Sequence, residues 1–89
     1  MAEQTGRALV PPGALADLRL AFAEEVAERL PRLAARADLE EARRDAHTLA
    51  SGAWIVGEPE IARLARAVES QLPDGPVEQL LALLRVWTP

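Results

Sequence analysis

Apolar residues recur every three or four positions in four stretches of this chain, and the breaks between the stretches are marked by proline, glycine or a capping aspartate. No segment alternates with period two. Successive residues of an α-helix turn by about 100°, so this spacing gathers the apolar side chains of each stretch onto one helix flank. The first stretch follows Pro11-Pro12-Gly13, starts at Ala14 and carries Leu15, Leu18, Phe22, Val26, Leu30 and Leu33. Pro31 interrupts it. A proline inside a helix removes one hydrogen bond and crowds the preceding turn, at a cost of ~3 kcal/mol, which predicts a kink or break near Glu28 to Leu30.

The second stretch has a defined start and stop. Asp38 suits an N-cap, and Glu41 stands at the third helical position, the capping-box arrangement. Leu39, Ala42, Ala46, Leu49, Ala53 and Val56 form its stripe, and Gly57 supplies the C-terminal stop. Pro59 fits the first position of a third helix with Ile61, Leu64, Ala65, Val68 and Leu72 inward. Pro73-Asp74-Gly75-Pro76 is a turn by composition. A fourth helix then turns Val77, Leu80, Leu81, Leu84 and Trp87 inward, with Leu83 and Val86 widening the stripe. Four amphipathic helices joined by short connections are satisfied by an all-α fold, an antiparallel up-down four-helix bundle. Residues 1–13 are expected to be an N-terminal leader and 14–89 a single domain.

Composition limits what such a bundle can do. At 89 residues the chain buries about 60% of its unfolded surface in one core, and two domains are excluded. There is no lysine and the net charge is −4, so no broad basic surface exists to neutralise nucleic-acid phosphates or lipid headgroups. Neither nucleic acid nor a membrane is expected as a partner. The absence of cysteine and the single histidine leave no recognisable metal site, and no cofactor motif is present. No window reaches the ~18 apolar residues of a membrane span, and the first residues lack a signal peptide's apolar run. The chain reads as soluble and cytoplasmic.

The single histidine, His47, lies in the middle of the second helix, well away from the centre of its apolar stripe. It therefore points to solvent or to a groove edge. On the wheel it shares a surface with Glu40, Arg43, Arg44, Ala50, Ser51 and Trp54, because residues three, four and seven apart are neighbours. Trp54 is expected as a half-buried ring at the edge of the core, within reach of a docking surface. Ile55 falls nearly opposite the stripe, and Trp87 is expected to plug one end of the bundle. Thr48 and Ser51 beside a histidine do not make a hydrolase, since no acidic orienter or oxyanion hole accompanies them.

The run Ala46 to Glu69, AHTLASGAWIVGEPEIARLARAVE, resembles the signature of histidine-containing phosphotransfer domains, the Hpt modules of two-component phosphorelays. His47, Leu49, Ala53, Val56 and Gly57 match the family's spacing. So do the stripe of Ile61, Leu64, Ala65 and Val68, and Glu69 after it. The resemblance covers roughly Leu15 to Leu72 and implies a four-helix bundle with His47 as phosphoacceptor. It further implies a phosphoryl carrier and not an enzyme, whose partners are a response-regulator receiver domain and a hybrid or sensor histidine kinase. The receiver would bring the magnesium ion and most catalytic groups.

Two positions depart from the family pattern. Its lysine three residues after the histidine is Ala50 here, and its glycine at four is Ser51, with Gly52 one place later. Arg43 and Arg44 stand one turn before His47 and are candidates for the missing charge, since guanidinium groups pair well with phosphoryl oxygens. Two other readings follow from the same residues. One is a degenerate Hpt-like bundle that binds a kinase or receiver without carrying phosphate. The other is a helical dimerisation scaffold built on the leucine-rich last segment. A monomer is favoured, and a homodimer is compatible with that segment.

Overall fold

The computed structural model describes residues 12–89, which form four helices and no strand. They are α1 (Pro12–Ala35), α2 (Leu39–Ile55), α3 (Pro59–Gln71) and α4 (Val77–Val86). The expected leader lies almost entirely outside the described residues, and α1 already includes Pro12 and Gly13. Cross-helix contacts give the topology. Arg32 meets Asp45 while Arg19 meets Val56, so α1 and α2 are antiparallel. His47 meets Glu69 across α2 and α3. Arg36 meets Glu78 at one end of α4 while Phe22 meets Trp87 at the other, which closes α4 back on α1 as the up-down bundle requires.

The punctuation between α1 and α2, and between α2 and α3, acts through local hydrogen bonds, although among the described residues Glu41 does not return the capping-box bond to the Asp38 N–H. The Asp38 carboxylate accepts from the backbone N–H groups of Glu40 and Glu41, capping α2. At the other end Glu58 N–H donates to Ala53 O at 2.8 Å and Gly57 N–H donates to Trp54 O at 3.3 Å, a Schellman pair closed by Gly57 at φ +79°. Pro59 then starts α3 at once. Pro31 is the exception. It lies inside α1, which continues through it to Ala35, so of the kink or break expected there the break does not occur. Burial explains the tolerance: Leu33, two residues on, is fully buried, and Arg32 is tied to Asp45 of α2, so tertiary packing holds the last turn in place.

The core runs through all four helices, with Leu33, Leu49, Leu80, Leu81 and Val68 the largest wholly buried side chains. Several expected inward residues are exposed. Leu15 and Leu18 are each 39% exposed because α1 has 24 residues and outruns its neighbours. The C-terminus of α4 ends beside Phe22 and Arg19, and α2 ends beside Arg19, so among the described residues neither helix extends alongside the first turns of α1. Leu39 sits in the first turn of α2 and Val86 in the last turn of α4, where the bundle frays into solvent. Trp87 is partly buried at the bundle's end as expected, edge-on to Phe22 at 4.9 Å with the Arg19 guanidinium over its ring.

Gly52 is a packing glycine. A Cβ built there would lie 2.7 Å from Cδ1 and 2.9 Å from Cε1 of Phe22, and that ring is itself fixed by Trp87. Gly52→Ala is expected to lower the urea midpoint. Overpacking costs ~1–3 kcal/mol, and the roughly 1 kcal/mol that alanine gains as a helix former offsets only part of it. In a Phe22→Leu background the same substitution should become neutral or stabilising, which a double-mutant cycle measures directly.

Candidate functional site

α2 packs between α1 on one flank and α3 on the other, and the site is what remains uncovered along the α2–α3 side. Asp45, one of the first residues of the site's own turn, faces α1. The residue is 3% exposed, and its carboxylate receives Nη2–H of Arg32 at 2.8 Å and Nε–H at 3.2 Å, with Arg29 Nε 3.7 Å away. The hydrogen bond to Asp45 holds the Arg32 pKa above its ordinary value. A fork-on-carboxylate pair fixes direction as well as distance, so Asp45 sets the rotation of α2 about its axis. Two residues on, that rotation turns His47 outward.

His47 is exposed, and its Nδ1 lies 2.9 Å from Oε2 of Glu69 on α3. A carboxylate only accepts, so the hydrogen bond assigns the ring proton to Nδ1. In the neutral imidazole the lone pair is then on Nε2, the nitrogen with no partner among the described residues. Glu69 thus does for His47 what an orienting carboxylate does for any reactive imidazole: it fixes ring angle and tautomer together. The surrounding hollow, about 400 Å³, is open to solvent and lined by Glu40, Arg43, Arg44, His47, Thr48 and Glu69. Arg43 donates from Nε to the Glu69 backbone carbonyl at 3.3 Å, adding a second tie between α2 and the C-terminal part of α3. Among the described residues Arg44 pairs only with Glu40, at 3.8 Å.

The other expected site residues are placed differently. Ala50 is buried, not exposed beside His47, because α3 covers that flank of α2. A helical wheel of α2 alone cannot show where a second neighbour lies. Ser51 is exposed on the opposite side of His47, facing α1, in an apolar groove with Leu18, Ala21, Gly52 and Ile55. Trp54 is 67% exposed and does not cover the core; it borders a separate hollow with Pro59, Ala62, Arg63 and Arg66. Ile55 is 61% exposed. Gly57 closes α2 as described above. Asp45, Arg32 and the role of Glu69 had no local signal, since each partner is 13 or 22 residues away in sequence.

No group of three or more His, Cys, Asp or Glu side chains suited to a metal ion occurs among the described residues, and no helix among them is long and apolar enough to cross a membrane. A family model described as Hpt domain matches residues 17–87. No curated protein and no solved structure matches the chain.

Removal of the Glu69 carboxylate should release the ring. In Glu69→Ala, ¹⁵N spectra of His47 at alkaline pH are expected to show the Nε2–H tautomer gaining population at the expense of the Nδ1–H form that dominates in the wild type. Equal tautomer populations in the two proteins would show that Glu69 does not orient the imidazole.

Proposed function

The chain belongs to the Hpt-domain family, whose members carry phosphoryl groups in two-component signalling, and on that premise we propose that His47 is the phosphoacceptor of a relay between receiver-domain aspartates. The observation that carries this reading is the exposed Nε2 of His47, set on a rigid helix with its ring fixed by Glu69. In the forward step the Nε2 lone pair attacks the phosphorus of an aspartyl phosphate presented by a receiver. The N–P bond forms, the P–O bond to the aspartate breaks, and the carboxylate leaves. The ring gains positive charge with Nδ1–H still in place, and the Glu69 carboxylate faces that charge. The reverse of the same step delivers the phosphoryl group to a second aspartate.

A carrier of this kind needs reach and not an enclosed pocket. The hollow at His47 is shallow, and the apolar groove beyond Ser51 runs along α1 and α2 next to it, which suits a partner that covers both. In this reading a receiver domain and a hybrid or sensor kinase are the partners, the protein acts in the cytoplasm, and Arg43, Arg44, Ser51 and Trp54 belong to the surface they approach. One observation favours a second reading, a bundle that binds such partners without carrying phosphate. The α2 face beside His47 offers the buried methyl of Ala50 where a charged side chain would help a phosphoryl group.

Incubation with a phosphorylated receiver separates the two. Relay predicts an acid-labile, base-stable label on the protein that is abolished in His47→Ala. Label that persists in the mutant would refute His47 as acceptor, and receiver binding with no label would select the binding-only reading.

A further inference from the structure

Four arginines border the α2–α3 side of the molecule, and three of them have acidic partners. Arg43 and Arg44 lie within 4.0 Å and 3.8 Å of Glu40, and Arg63 pairs with Glu60 at 3.0 Å. Arg66, exposed in the middle of α3, has no hydrogen-bond or ion-pair partner among the described residues. Its natural partner would be Glu69, three residues on and on the same helix face. That carboxylate is turned to His47 instead, at 2.9 Å. The interaction that orients the imidazole therefore leaves the Arg66 guanidinium unneutralised one turn away along α3, at the border of the neighbouring Trp54 hollow.

The helix register places this charge. α2 and α3 run antiparallel, with His47 beside Glu69 and Trp54 sharing a hollow with Ala62 and Arg66. Arg66 is therefore level with Ala50, one turn from His47 along α2 and one turn from Glu69 along α3. One helical turn is about 5.4 Å, within the span of an extended arginine side chain. Ala50 is buried and offers only a methyl, so no longer α2 side chain stands between the guanidinium and the imidazole. We propose that Arg66 is the group that contacts the phosphoryl oxygens once they are bonded to Nε2 of His47, supplying from α3 the positive charge that Ala50 cannot supply, while Arg43 and Arg44 of α2 are engaged by Glu40. The proposal rests on the phosphoacceptor reading above. Arginine suits the role, because its fork of N–H donors pairs with two phosphoryl oxygens at once.

Phosphoramidate provides a test that needs no protein donor. The Nε2 lone pair attacks its phosphorus, the N–P bond to ammonia breaks, and ammonia leaves. On phosphorylation the Nε–H signal of Arg66 in ¹H–¹⁵N spectra, identified by its absence in R66K, is expected to shift and to exchange more slowly with water, while that of Arg85 on α4 stays in place. When the protein is equilibrated with a receiver, R66Q should hold roughly fivefold less phosphoryl group relative to the receiver than the wild type, the scale of one solvent-exposed charge-assisted contact. R66K should restore part of the loss, and R85Q should show none. An unmoved Arg66 signal on fully phosphorylated protein, or a wild-type share held by R66Q, would overturn the proposal while leaving His47 as acceptor. Failure of phosphoramidate to label His47 would remove the acceptor reading and this proposal with it.

Discussion

The close packing of α2 against α3 is the constraint on which the rest of the site depends. Ala46, Ala50 and Ala53 of α2 and Ala62 and Ala65 of α3 are all buried, and small side chains at a helix contact let the two axes approach. Only at that separation do the short Glu69 side chain and the His47 ring meet at hydrogen-bond distance across the groove. The same alanines explain why the site is a shallow surface. The hollows along this contact open to solvent at its edges, so the chemistry is confined to side chains that rise along the groove's rim.

α1 braces this pair from the other side. Arg32 and Asp45 lock the rotation of α2 near His47, the Gly52 notch accepts the Phe22 ring one turn beyond it, and Arg19 donates to Val56 O and pairs with Glu58 where α2 ends. These contacts run from Asp45 to the C-terminal end of α2, so that part of the helix presents His47 as part of a rigid body. Rigidity matters for a group-transfer partner, because a reactive nitrogen held in one orientation avoids the entropic cost of finding it at each encounter.

Much of the fold was legible because its signals are local. Asp38, Gly57 and Pro59 act through hydrogen bonds or dihedral preferences within a few residues, and the apolar spacing of three and four marks the helices directly. The exposure of His47 followed from the α2 stripe alone. What was not legible depends on neighbours distant in sequence. Pro31 was expected to kink or break α1, and the helix continues through it, with packing of Leu33 and Arg32 holding its last turn. Ala50 was expected at the surface, and α3 covers it. Trp54 was expected at the core's edge and stands in solvent, because α3 leaves that corner of the bundle open. Glu69 matched the spacing of a family signature, but nothing in its local sequence indicates that it reaches back across 22 residues to fix the imidazole.

The central claim is that Glu69 occupies one nitrogen of His47 so that the other is the one offered to a phosphoryl donor. The position of the phosphoryl group on the ring tests this most directly, and phosphorus–nitrogen and phosphorus–proton couplings in NMR spectra of the phosphorylated protein report it. Attachment at Nε2 is the predicted result. Attachment at Nδ1, the nitrogen held by Glu69, would contradict the account.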